Sequence, residues 1–153
     1  MMQKDKLVID GLREQDVPQM AEIERLCFSE PWSEETIRAE LTTPFSRYFI
    51  CREDDRVLGY IGTRILLGEC DVTNIAVRPE LRRQGIASFL FERMLPELYA
   101  QKVTVLNLEV RENNLPARAF YEKCGFQVCG RRKKFYRCPE EDAILMNCVL
   151  EDK

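Results

Sequence analysis

A chain of 153 residues, 45% hydrophobic and 32% charged, has the composition of a single soluble domain spanning 1–153. Its 23 basic and 26 acidic side chains leave a net charge of −3, which argues against a dedicated nucleic-acid-binding domain. It has no histidine, which excludes Ser-His-Asp and Cys-His catalysis, an HExxH zinc site and an imidazole pH switch.

In chain order, residues 7–12 (LVIDGL) read as a first strand. Asp16-Val17-Pro18 reads as a helix start, with a capping carboxylate and a proline in the first turn. Met20, Ile23, Glu24 and Cys27 follow at about one-turn spacing, and Pro31-Trp32-Ser33 ends that helix. Ser33 is placed to cap a second helix, with Glu34 and Glu35 in its first turn. Ile37 and Leu41 supply its apolar stripe, and Pro44 ends it. Residues 48–77 then read as a three-stranded antiparallel meander with turns at Asp54-Asp55 and Gly68. From Gly85 the period becomes helical, through Ile86, Phe89, Leu90, Met94 and Leu98, and Pro96 should kink or shorten the last turn. Residues 103–110 form a strand with Leu106, Leu108 and Val110 on one face and Val105, Asn107 and Glu109 on the other. A short helix carrying Ala117, Phe120 and Tyr121 ends at Cys124-Gly125. Residues 127–136 and 143–150 make a last strand pair. The whole is a mixed α/β domain.

The seven cysteines are irregularly spaced, with no CxxC, so they read as reduced thiols and no metal is expected. The N-terminus has no apolar run suited to a signal peptide, and no stretch approaches a membrane span. A cytoplasmic location is expected.

The informative stretch is Asn74 to Ala87, NIAVRPELRRQGIA. A strand ends at Val77, and Arg82-Arg83-Gln84-Gly85-Ile86-Ala87 opens a helix. A helix start has unpaired N–H groups and partial positive charge, small residues let an anion approach, and the arginines add charge. The design suits a pyrophosphate. It is neither a Walker loop nor a dinucleotide fingerprint.

Arg82-x-x-Gly85-x-Ala87 after a strand resembles the acetyl-CoA motif of the GCN5-related N-acetyltransferases, the GNAT superfamily. The likeness continues through Leu108-Glu109-Val110-Arg111-x-x-Asn114, Ala117 and Phe120-Tyr121-Glu122-x-x-Gly125-Phe126. Pro31-Trp32-Ser33, Asn74-Ile75-Ala76-Val77 and residues 141–146 (EDAILM) are similar to the RimI-type ribosomal-protein-alanine N-acetyltransferases within it. This resemblance implies the GNAT fold, a mixed sheet of about seven strands flanked by about four helices. It implies acetyl-CoA as co-substrate, held by the backbone of Ile75, Ala76 and Val77, by Arg83, Gln84, Gly85, Ile86, Ala87 and Ser88 around the pyrophosphate, and by Asn114. It makes Glu109 the general base and Tyr121 the general acid. It implies a monomer acting on the N-terminal segment of a small-subunit ribosomal protein. Lysine side chains or small amines are the alternative acceptors. Position 82 is Arg where Gln is commonest, position 87 is Ala where Gly is commonest, and Pro139-Glu140 stands where the subfamily has Gly-His.

Physical chemistry favours an α-amine. Its pKa is ~7.8 against ~10.4 for lysine, so at pH 7.5 roughly a third is neutral, against about 0.1% of lysine. A carboxylate acting through water suffices for the first, and a tyrosine O–H can protonate a leaving thiolate. Trp32 and Tyr136 read either as packing residues or as substrate contacts. The basic run 130–137 (GRRKKFYR) reads as a solvated edge strand protected by charge rather than as an RNA-steering surface.

Overall fold

The computed structural model describes residues 4–150. Its elements are β1 (Leu7–Asp10), α1 (Val17–Cys27), α2 (Glu34–Ala39), β2 (Ser46–Glu53), β3 (Arg56–Leu66), β4 (Glu69–Val77), α3 (Ile86–Ala100), β5 (Val105–Arg111), α4 (Leu115–Lys123), β6 (Gln127–Tyr136) and β7 (Glu141–Val149), with short 3-10 turns between them. The strands form one sheet in the order β1-β2-β3-β4-β5-β7-β6. Its pairs are antiparallel except β4–β5. Seven strands and four α-helices match the architecture that the sequence implies.

Period-2 alternation sorts side chains between two cores. Tyr48 and Ile50 of β2 join Val17, Met20, Ala21, Ile23 and Ile37 of α1 and α2 on one face. Phe49 and Cys51 join Ile86, Phe89, Leu90, Met94 and Leu98 of α3 on the other. The alternation of β5 is as read, with Leu106, Leu108 and Val110 buried and Glu109 exposed.

Three local expectations change. Asp16 makes no side-chain cap on α1. Its buried carboxylate takes the Arg52 guanidinium at 2.5 Å and the Arg13 N–H at 2.8 Å. A cation desolvated inside the fold outcompetes a helix terminus for a carboxylate. Pro96, where the sequence predicts a kink or a shortened last turn, lies inside α3, which runs to Ala100 with Leu98 fully buried. Core packing there overrides the loss of one helical N–H. Helix α2 ends at Ala39, before Leu41, which is partly exposed. Ser33 does cap it, accepting the Thr36 N–H at 3.1 Å.

Two irregularities shape the middle of the sheet. Between Gly62↔Asn74 and Thr63↔Val72 the register of β3 and β4 slips, leaving Thr73 as a bulge in β4. Gly62 sits under the bulge because a Cβ there would lie 2.2 Å from Asn74 Oδ1 and 2.7 Å from the Tyr48 ring. Gly62→Ala is therefore expected to cost about 1–3 kcal/mol through overpacking, read as a lower urea midpoint with the slope unchanged. An unchanged midpoint would mean that the bulge relaxes freely.

Candidate active site

Strands β4 and β5 pair at only three positions, Glu69↔Val105, Cys70↔Leu106 and Asp71↔Asn107. Beyond them the strands separate. The far part of β4 stays paired to β3 as far as Val77↔Gly59, and the far part of β5 stays paired to β7 as far as Arg111↔Ala143. Each separated stretch therefore turns one edge of unpaired backbone to the gap. The Arg78 N–H goes to Leu58 O on β3. Alternation along the strand then turns the N–H and C=O of Ile75 and Val77 to the gap and those of buried Ala76 to β3. An extended chain carrying amides fits such an edge as an added strand would.

At the end of β4 the chain makes a 3-10 turn over Pro79–Leu81 and enters α3. Arg83 has φ +64°, and Gly85, the N-cap residue, has φ +84°. Glycine takes that conformation without Cβ strain. Gly85 O accepts the Phe89 N–H at 2.9 Å, the first helical bond, so the N–H groups of Ile86, Ala87 and Ser88 lack carbonyl partners within the helix. No acidic residue occupies the first turn. The Ile86 side chain is buried in the core, so only its backbone is available to a ligand. Arg83 is exposed, and Gln84 and Ala87 are half-buried. The backbone is thus open to a pyrophosphate.

Glu109 lies on the separated part of β5, its side chain a third exposed, with the Arg132 guanidinium 3.9 Å away. Tyr121 is buried on α4, its ring edge-on to Phe120 and Phe126. Burial pushes the Tyr121 phenol well above its ordinary range, and Tyr136 adds to that shift. Tyr136 is itself pushed up to about 12, first by burial and then by the Glu109 carboxylate. Tyr136 therefore interacts electrostatically with both predicted catalytic groups, Glu109 on β5 and Tyr121 on α4. The Asn114 side chain caps α4, accepting the Ala117 N–H at 3.3 Å. Its oxygen is thereby engaged, leaving the amide N–H groups for a ligand.

A protein-family model described as "Acetyltransferase (GNAT) family" matches residues 17–126. The chain belongs to the GNAT acetyltransferase family. The [ribosomal protein bS18]-alanine N-acetyltransferase of Salmonella typhimurium is 36% identical over 135 residues, covering 86% of this chain and 89% of that protein. Its Escherichia coli K12 counterpart is 33% identical over 140 residues, covering 90% of this chain and 94% of that protein. The crystal structure of the E. coli ribosomal-protein-S18-alanine N-acetyltransferase superposes with a TM-score of 0.87 at 32% identity, covering 96% of both chains.

The acetyltransferase also holds a polar cluster that the sequence reading passed over. Glu24 is 2% exposed, and its carboxylate accepts the Tyr60 hydroxyl, the Trp32 N–H at 2.9 Å and Asn74 Nδ2 at 3.3 Å. It ties α1 to the segment before α2 and to the bulged start of the separated β4 stretch. The signal was present: Glu24 occupies an apolar phase of α1, four residues after Met20. Nearby, the Cys27 thiol donates to Val77 O at 3.5 Å, and Arg82 Nη2 lies 3.4 Å from its sulfur. Burial raises the Cys27 pKa against the opposing effect of Arg82, so it stays a thiol and a poor nucleophile.

Glu24→Ala strips one buried donor, the Tyr60 hydroxyl, and two half-buried ones, the Trp32 N–H and Asn74 Nδ2, of their acceptor. It is expected to lower unfolding free energy by about 3 kcal/mol in urea titration. A loss below about 1 kcal/mol would show water replacing the carboxylate.

Proposed function

We propose that this acetyltransferase moves the acetyl group of acetyl-CoA to the N-terminal α-amine of a ribosomal protein, with alanine as the favoured first residue. The observation that carries the reading is the β4–β5 gap, with a glycine-capped helix start following β4 and Glu109 on the separated part of β5. The relatives named above, alike over most of their length, act on the alanine of a ribosomal protein by their names, and this supports the same acceptor class here. It favours an α-amine over lysine or a small amine.

When bound, acetyl-CoA supplies a thioester carbonyl and a thiolate leaving group. The N–H groups of Ile86, Ala87 and Ser88, with Arg83 and Gln84 beside them, hold the pyrophosphate. Ile75 and Val77 lend their backbone to the pantetheine amides and keep the thioester at the gap. Glu109 takes the proton of the attacking amine, directly or through a water. Tyr121, neutral because burial disfavours its phenolate, gives its proton to the thiolate. Attack on the thioester is direct, with no cysteine relay.

The decisive test is mass spectrometry after incubation with acetyl-CoA. The substrates are an N-terminal alanine peptide containing one lysine and its Nα-blocked twin. Acetyl on the α-amine alone is the expected product, and acetyl on lysine in both peptides would overturn the reading. Glu109→Gln and Tyr121→Phe should each lower kcat by roughly 10²-fold or more with little change in acetyl-CoA affinity. Full turnover in both would remove them from the chemistry.

The pH profile follows from the same groups. The neutral fraction of an α-amine rises with pH through ~7.8. Tyr121 is active while protonated, and its raised pKa moves loss of that proton well above the ordinary tyrosine range. The profile of kcat/KM should therefore climb to a plateau, with no descending limb from Tyr121 below about pH 10. A descending limb near pH 8 would assign the acid to another group.

A further inference from the structure

Arg111 ends β5, two residues after Glu109. Its Nη1 donates to Pro139 O at 2.9 Å and to Glu141 Oε1 at 3.1 Å. Its Nη2 donates to Ser29 Oγ at 3.2 Å and to Arg137 O at 3.0 Å. Its guanidinium lies over the Tyr136 ring, 4.4 Å from the centroid. One side chain thus joins the loop between α1 and α2 to the turn between β6 and β7.

Those two segments are tied to the separated ends of β4 and β5. The α1–α2 loop is tied to β4 through Cys27 against Val77 and through Trp32, Glu24 and Asn74. The β6–β7 turn is tied to β5 through Arg111 itself. Glu109 and Arg111, two residues apart on a strand, share a face. An acceptor approaching Glu109 therefore meets both segments.

We propose that Arg111 is a positioning residue. It bridges loop 28–33 and turn 137–140 into one wall and so sets how tightly the acceptor's N-terminal segment binds. The proposal rests on the acceptor reading above. A planar guanidinium can serve several acceptors at once through its fork and still stack on an aromatic ring, whereas a lysine ammonium is a single point charge. Two of the four acceptors are backbone carbonyls, so the bridge depends on the path of the turn rather than on its side chains. The Arg111–Ser29 contact is exposed, so its loss should alter loop geometry more than global stability.

The test uses Arg111→Lys and, as a milder cut at one end of the bridge, Ser29→Ala, whose site is exposed and outside the core. Trp32 is the chain's single tryptophan and lies three residues from Ser29, so its fluorescence reports on the loop whatever the acceptor is. In Arg111→Lys the KM for an N-terminal alanine peptide should rise about tenfold, while the KM for acetyl-CoA changes less than about twofold. Acrylamide quenching of Trp32 should rise about twofold, and Ser29→Ala should move both readouts the same way by less. Unchanged quenching in both variants overturns the bridge. Looser quenching with an unchanged peptide KM, or peptide and acetyl-CoA KM values rising together, overturns the acceptor role. If the wild type makes no α-amine product, the functional reading fails by itself, and Trp32 quenching still decides whether the bridge exists.

Discussion

Strands β4 and β5 run parallel and stay paired for only three residues, and the rest of the site depends on that early parting. A fully paired sheet would consume every backbone donor and acceptor along both strands. Separation leaves Ile75 and Val77 on one edge and residues 108–111 on the other without a strand partner across the gap, with Val77 O taken by the Cys27 thiol. The bulge at Thr73 helps turn β4 away, and Gly62 makes room for it. The glycine-capped start of α3 follows β4 after one 3-10 turn, so strand edge and helix terminus come in succession along the chain. This is the geometry on which the proposed acetyl transfer rests.

An opened sheet needs other ties to keep its shape, and here they are polar. Glu24 gathers Tyr60, Trp32 and Asn74 around one buried carboxylate. Burying such a group is costly unless its lone pairs are used, and three donors converge on it. On the other side of the gap, Arg111 links a loop and a turn that are far apart in the chain. Apolar packing alone would tolerate small shifts of these loops. Directional bonds to a carboxylate and a guanidinium do not.

The absence of histidine gives the chemistry its particular form. A carboxylate can accept a proton from an amine that is already partly neutral near pH 7, which suits an α-amine. A buried phenol remains protonated throughout the useful pH range. Its raised pKa makes it a weaker acid, but the same desolvation raises the affinity of a nearby thiolate for a proton. In the proposed reaction, proton transfer between the two is thereby kept closer to balance than in water.

Much of this was legible in the residues. Period-2 alternation on β5 placed Glu109 opposite the buried face, the change of period at Gly85 marked the helix start, and Ser33 announced its cap. These features are local: they depend on residues within one or two turns, so spacing and residue type determine them. What the sequence did not disclose involved partners distant along the chain. Asp16 looked like a helix cap because Arg52, 36 residues on, is not visible as its partner in a local reading. Pro96 read as a kink or a shortened last turn, because the core that holds Leu98 beyond it is assembled from other elements. Glu24 looked like one polar residue in an apolar stripe, and Arg111 like one more strand-end charge. Their roles arise only when the loop before α2, strands β3 and β4, and the β6–β7 turn meet in space. The sequence by itself determined the elements and the family motif, and it named the groups proposed to react. Tertiary structure alone decided where β4 leaves β5 and which buried charges hold the gap open, because both depend on long-range packing and desolvation rather than on local propensity.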